Sequence, residues 1–544
     1  MAPRLHPTHL MQSSTWDTVV IGSGPGGLTA ALALARAGQK VLVLEQHYLP
    51  GGWAHSFTLE GHRFSPGVHY VGGLQPGGSL RRLYEGLGMS ADLEFTEMNP
   101  DGFDHFLIAG ERFDQPKGME AWTQRLTARF PAEKSGIARY FSVISRICED
   151  VKVCDTGLSF PAVLALPFRA PTLTRWSLST LSALLDSTIR DPMLRAVLSA
   201  QAGNHGSPPS RVSLPLHASM TAHYFDGAFY PRGGAKRIPA AYIKALRRAG
   251  GEIRLRSDVT RILVESGRAT GVELASGETI SAGHVISNAD PAITFGRLLP
   301  EDLVKSERKK LARTEYSVSS ISMFCGVDMD LRGLGFDSGN YWRYRSTDVN
   351  GIYERAEREL PSGDLEALFL AITSLKDPHG PPGRHTLEMF TFAPHAAFEQ
   401  WADTTQDSRS ADYEALKRSL ADRMLSMAEE IIPGVRDHIT FQSIATPLTN
   451  DFYCRTFRGA MYGTAKTPRQ MGPFSFSQRG PIDGLSLCGA STLSHGIAGA
   501  SFSGLIAAQR VLGLDTPEAC LGPADGSLRV TMAESIDAVA QRAA

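Results

Sequence analysis

The chain has 544 residues, of which 42% are hydrophobic and 20% charged, and its 55 Lys and Arg stand against 56 Asp and Glu for a net charge of -1. That length holds several domains' worth of core, and the composition excludes a disordered, collagen-like or disulfide-scaffold chain. The charge balance removes the basic surface of a dedicated nucleic-acid binder, and six scattered cysteines without a CxxC pair read as thiols of a reducing compartment, with no metal site expected.

Residues 1–15 lack the apolar core of a secretory signal, and no uninterrupted apolar run reaches about 18 residues, so a cytoplasmic protein without a membrane-spanning helix is expected. The segment from Asp17 to Ile21 is a short β-branched run that reads as a buried strand. It breaks at Gly22-Ser23-Gly24-Pro25-Gly26-Gly27, continues as the helix-forming stretch LTAALALARAG ended by Gly38, and is followed by a second apolar strand ending in Glu45. Strand, glycine turn, helix, strand and terminal acid make up the βαβ dinucleotide fingerprint in full. Gly22 serves the tight turn, Gly24 the approach of a pyrophosphate and Gly27 the close packing of helix on strand, with the phosphates on the positive end of the helix starting near Pro25. Glu45, with Gln46 beside it, is placed to accept hydrogen bonds from the ribose hydroxyls and repels a 2′-phosphate, so the ligand is FAD or NAD and not NADP.

FAD is favoured by Gly51-Gly52 and the run from Trp53 to Phe57, a glycine pair that large flavoproteins need where the chain runs along the extended cofactor. Further on, a helix is expected from Gly233, then strands at Glu252–Arg256, Val259–Val264 and His284–Asn288 with a hairpin at 267–274. In flavoproteins of this plan the residue at Val259 meets the adenine through its backbone. Late in the chain, 484–489 reads as a buried strand, and Gly489-Ala490 lead through His495 to the small-residue helix start Ala498-Gly499-Ala500, whose free N–H groups suit negative charge at the flavin edge.

The runs Gly67-Val-His69-Tyr70-Val-Gly72, Pro208-Pro209-Ser210, Gly227–Gly234, Pro447–Asn450 and Arg458–Gly463 complete a pattern that resembles the phytoene desaturase and carotenoid isomerase superfamily of FAD enzymes, relatives of the amine oxidases, with the retinol saturase branch nearest. The resemblance spans almost all of residues 16–515. It implies an α/β fold with a Rossmann-like FAD-binding domain of the amine oxidase and phytoene desaturase type, assembled from 16–75, 228–295 and 481–515. It also implies an α+β substrate-binding domain from 76–227 and 296–480, with tails at 1–15 and 516–544, the latter expected as a loosely attached helix. The implied activity is an FAD-dependent oxidoreductase acting on C=C bonds of a retinoid, carotenoid or similar polyene, foremost a saturase. A carotenoid desaturase or cis–trans isomerase is the alternative, and a flavin-stabilised lipid-binding protein without turnover the third reading.

Residues 157–185 are apolar, broken by Pro161, Pro167 and Pro171, and hold Arg169 and Arg175 but no acid. Two readings stand side by side: a monotopic surface that contacts the inner face of a membrane and admits a lipid, or a proline-kinked core hairpin. Residues 414–432 read as an amphipathic helix of ordinary core packing.

Saturation of a double bond needs a flavin N5 within about 3–3.5 Å of an sp² carbon, a proton donor at the adjacent carbon, and exclusion of water. The candidate catalytic residues are His69 and Tyr70 after the glycine turn, Tyr462 in its own glycine loop, and His495 before the last flavin helix. His223, Tyr224 and Arg232 are expected to brace the domain junction. No GxSxG, HExxH or second GxGxxG is present, so electrons pass through an unidentified separate carrier and not through a dedicated nicotinamide domain.

Overall fold

The computed structural model describes residues 16–154, 165–360, 362–377 and 383–534. Strand β1 (Trp16–Ile21), helix α1 (Pro25–Arg36) and strand β2 (Val41–Leu44) form where the fingerprint places them. Val19, Val20 and all four residues of β2 are buried, as a parallel strand covered on both faces demands.

Seven strands make the first sheet. Along it run Val259–Glu265, Arg268–Leu274, Thr279–Ser287, β1, β2 and Glu252–Arg254, and Leu485–Leu487 pairs with Thr279–Ser287. The strand expected at His284–Asn288 starts earlier, because its first half pairs antiparallel with Arg268–Leu274 while its second half runs parallel to β1. The turn between the first two strands uses Ser266 and Gly267, both with positive φ, which matches the twist of a two-residue hairpin.

Helix α1 lies on this sheet against the helix Gly496–Leu512, and the two approach so closely that a methyl group on Gly504 would drive into the Gly26 carbonyl. Apolar and small residues of both helices share one core with Tyr242 and Leu246 of the helix Arg237–Arg248.

A second seven-stranded sheet runs Ile439–Ala445, Ser319–Val327, His385–Ala393, Ala367–Ile372, Asn340–Tyr344, Asp104–Ile108, Glu111–Gln115. All its pairs are antiparallel except Asn340–Tyr344 with Asp104–Ile108. Alternation sends Phe369 and Phe390 into a core shared with the helices Lys134–Cys154 and Leu181–Thr188, and Leu370 and Met389 into a core under the helix Ala411–Glu429. That last helix matches the amphipathic stretch and is capped by Ser410.

Of residues 157–185, those at 157–164 lie outside the described residues. The rest fold into short helices, Leu166–Arg169, Pro171–Trp176 and Leu181–Thr188, with prolines in the first turn of the first two. No helix among the described residues is long and apolar enough to cross a membrane.

The loosely attached helix expected after residue 515 is corrected for the described residues up to 534, while 535–544 lie outside the described residues. Residues Arg529–Met532 form a strand parallel to Glu94–Glu97 in a three-stranded sheet that also contains Phe229–Pro231, and Glu534 bonds the Ser338 backbone. Val530 packs against the α1 core, and that burial outweighs helical propensity in a segment of so few residues.

Replacing Gly504 with Ala raises helix propensity by about 1 kcal/mol, yet the contact with Gly26 is expected to dominate and give a net loss of about 1–3 kcal/mol. A thermal melt checks this, and a variant at least as stable as the parent contradicts the packing argument.

Candidate functional site

A cavity of about 260 Å³ opens beside the carboxyl ends of β1, β2 and Thr279–Ser287, where ligands of open α/β sheets bind. α1 begins there with Pro25 in its first turn and Gly24, which has no side chain to offer, as N-cap, while the Asn288 side chain reaches the first turn at Gly27 N. The helix Gly496–Leu512 begins at the same cavity, without a side-chain cap. Two positive helix ends therefore converge on one space.

Glu45 is buried on the wall. Its Oε2 accepts from the Ser23 backbone at 2.9 Å and the Ser23 hydroxyl at 2.6 Å, and its Oε1 accepts from the His47 backbone at 2.9 Å. The carboxylate thus stiffens the glycine turn and keeps lone pairs over for a ribose. Asn288 ends the central strand run, and its Oδ1 accepts from Gly27 N at 3.0 Å. A Cβ on Gly24 would lie 2.8 Å from Asn288 Nδ2, and one on Gly26 2.7 Å from Asn288 Oδ1 and 2.8 Å from the Ala500 carbonyl. A Cβ on Gly27 would strike the Gly22 carbonyl. These glycines are required by the protein's own chain as much as by a ligand.

Most of the sequence-derived positions meet here. Gly22, Gly24, Pro25, Glu45, Gln46, Gly52, His69, Val259, Tyr462, Gly489, Ala490, His495 and Ala500 line the cavity. Gly26, Gly27, Gly51 and Gly499 do not line it and act one layer behind. Gly51, with φ of 116°, packs on Pro239 and bonds Ser23 Oγ, while a Cβ on Gly499 would collide with Ser494.

Tyr70 is corrected: it does not line the cavity. Neighbours in extended chain face opposite ways, and where His69 faces the cavity, Tyr70 stacks on Tyr224, donates to Asp104 Oδ2 at 3.1 Å and accepts from Asn204 Nδ2 at 2.6 Å. His223 accepts from Gly72 N at 2.8 Å and Arg232 pairs with Glu94 at 2.7 Å, both bracing contacts.

Sequence reasoning missed Asn288, Ser23 and the mouth formed by Tyr453, Cys454 and Arg455, where Gln46 donates to the Tyr453 carbonyl at 3.2 Å. Asn288 carried a readable signal, since it ends a parallel strand. The far wall, built by Ser320, Ser322, Phe390 and Met461, carried none.

The electrostatics separate the candidates for proton transfer. Burial pushes His495 down to about 3. Its Nε2 lies 2.7 Å from the Asn204 carbonyl, an acceptor only, so Nε2 carries the hydrogen and the buried Nδ1, without a partner, is a bare acceptor. Burial pushes the Tyr462 phenol up, and its ring sits 4.6 Å from His495. Neither gives up a proton readily near neutral pH. Behind them Tyr140 bonds His217 Nε2 at 2.7 Å, and His217 Nδ1 lies 3.3 Å from His205 Nε2. Burial depresses both histidines, His217 to about 3.

The residues fit FAD. Two converging helix N-termini suit a pyrophosphate, Glu45 suits a ribose, and the buried His47 Nε2, Trp53 Nε1 and His495 Nδ1 on the cavity wall have no hydrogen-bond partner among the described residues.

The comparisons with known proteins agree. Residues 25–512 match the family of flavin-containing amine oxidoreductases. The chain is 32% identical over 511 residues to all-trans-retinol 13,14-reductase of Danio rerio, covering 89% of this chain and 84% of that one. It is 29% identical over 523 residues to the chloroplastic prolycopene isomerase of Daucus carota, covering 93% and 82%. Among solved structures, an oxidoreductase from Methanosarcina mazei superposes with a TM-score of 0.60 at 19% identity, covering 90% of this chain and 99% of that one. The cofactor is FAD.

Replacing Glu45 with Ala is expected to weaken FAD retention by about 1.5–3 kcal/mol, from lost charge-assisted hydrogen bonds. Flavin absorbance after dialysis reads the effect, and undiminished loading contradicts the role given to Glu45.

His217 and His495, neutral when folded down to about 3, have an ordinary value of 6.5 when unfolded. Between those values the unfolded chain binds the extra protons, so stability falls as pH drops below 6.5. Melting temperature is expected to decline from pH 6.5 to 4, less steeply in His217→Asn, and a flat profile contradicts this.

Proposed function

This chain belongs to the flavin-containing amine oxidoreductases, and from that premise we propose that it saturates one carbon–carbon double bond of a retinoid or similar apolar polyene. The observation that carries the reading is one cavity that joins the cofactor cradle to a largely apolar wall where His69 stands beside Phe390. The likeness to all-trans-retinol 13,14-reductases over most of the chain supports the substrate class.

When bound, the flavin supplies a hydride to a carbon of the substrate held against it. The protein's residues do the rest. Phe390, Met461, Ile293 and Leu298 exclude water and hold an apolar chain. The two helix ends favour negative charge on the cofactor. His69 stands on the wall with Nδ1 free of hydrogen bonds among the described residues, the atom from which a proton reaches the second carbon. A second reading, cis–trans isomerisation on the same wall, is supported by the likeness to prolycopene isomerases and needs no proton donor.

The partners follow from this reading. An apolar polyene enters from a lipid surface, and Phe168, 88% exposed, and Leu178, 63% exposed, beside Arg169 and Arg175, support a peripheral contact with the cytoplasmic face of a membrane. Electrons arrive from a separate carrier.

The test takes purified protein, made anaerobic with its flavin reduced, and given all-trans-retinol in D₂O buffer. Product that has gained two deuteriums, one through the flavin, whose N5 hydrogen exchanges with the buffer, and one as the proton, formed with stoichiometric flavin reoxidation, is expected. Unchanged mass with altered retention time, and flavin still reduced, would establish the isomerase reading instead.

A further inference from the structure

We propose that Glu388, a buried carboxylate on the second sheet, is the positioning residue that makes His69 the proton donor, the two forming a dyad across the boundary between cofactor cradle and substrate wall. The proposal rests on the saturase reading above.

Glu388 is 1% exposed, on a strand in the middle of the second sheet. Its Oε1 accepts from Ser65 N at 2.7 Å and lies 3.5 Å from Thr373 Oγ1. Its Oε2 makes no hydrogen bond that meets strict geometry and lies 3.1 Å from His69 Nε2. A buried carboxylate oxygen without a donor or cation is expensive. The His69 imidazole is the group set against it.

The ring packs against two aromatic side chains. Phe369 and Phe390 flank it at 5.0 and 5.7 Å between centroids. Lys376 Nζ donates to the His69 carbonyl at 2.8 Å and to Asn340 Oδ1, and Asn340 in turn donates to Asp104 Oδ1 at 3.0 Å. With Nε2 turned to Glu388, the nitrogen left over is Nδ1, on a residue that lines the cavity. The charged or titratable groups around the dyad are Lys376, which burial pushes down to about 7, Asp104, which burial pushes up, the Tyr230 phenol, also pushed up, and the Asp377–Arg63 pair.

The step balances within this set. Reduced FAD, when bound, would supply a hydride to one alkene carbon and be left oxidised, and the electron pair on the neighbouring carbon would take the proton of His69 Nδ1–H. A C–H bond forms, the N–H bond breaks, and the imidazolium becomes a neutral imidazole. Glu388 stays a carboxylate throughout, and solvent returns the proton to His69 between turnovers.

The experiment compares wild type, Glu388→Gln and Glu388→Asp in anaerobic single turnovers of the reduced holoenzyme with all-trans-retinol, reading flavin content, KM, rate and its pH profile. The expectation for Glu388→Gln is a rate loss of about 100-fold, with unchanged flavin content and KM, and an alkaline limb moved to lower pH. Glu388→Asp is expected to recover part of the rate. Saturation by the wild type together with a Glu388→Gln rate within twofold of it overturns the dyad alone. A wild type that only isomerises overturns the saturase reading and the dyad with it. Should Glu388→Gln fail to hold flavin, Glu388→Asp is compared with His69→Gln and the double variant. A double variant no slower than His69→Gln supports the dyad, and independent, multiplying losses overturn it.

Discussion

Everything at the site depends on the close approach of chain around the first turn of α1. Gly26 has Asn288, Gly489 and Ala500 within about 3 Å of where a side chain would start, and Gly504 meets its carbonyl. Asn288 closes the arrangement by accepting from Gly27 N, and its Oδ1 also lies 3.5 Å from Cys488 Sγ. Three stretches far apart in sequence are thus tied at one point by an amide group and four glycines. A pocket floored by exposed helix N–H groups exists only because no side chain occupies that space, and close-packed interiors leave little room to restore it once lost.

The second sheet answers a different problem. Opposite the cradle it places an apolar wall, yet directly behind that wall lie Lys376, Asp104 and Glu388, all fully or almost fully buried. Asp104 alone receives hydrogen bonds from Tyr70, Gln201, Asn340 and Trp342. Buried charges at this density are costly unless each is bonded, and the bonding here is nearly complete. The exception, Glu388 Oε2, is the one that faces a cavity residue. The histidines on the other side, His205, His217 and His495, are kept neutral by burial.

What could be read early was local. β1, α1 and β2 follow within thirty-odd residues of one another, and hydrophobic period, glycine turn and terminal acid all point to the same unit, so Gly22, Gly24, Pro25 and Glu45 fell on the cavity as expected. The neighbours His69 and Tyr70 could not be told apart, because their environments are supplied by residues distant in sequence: Glu388 and Phe390 for one, Asp104 and Asn204 for the other. The strand Arg529–Met532 was illegible for the same reason, since four residues of mixed character acquire strand structure only from pairing with Glu94–Glu97.

The amino-acid sequence by itself determined the βαβ cradle, the acid that closes its second strand, and the family pattern of glycines, because these are set by backbone permissiveness and charge within short spans. Tertiary structure alone decided that Asn288 seats the helix, that His495 and Tyr462 are held in forms that do not release protons, and that Glu388 meets His69. The reason is physical: protonation state and hydrogen-bond partnership depend on burial and on distances of about 3 Å, and those come into being only when distant strands are packed together.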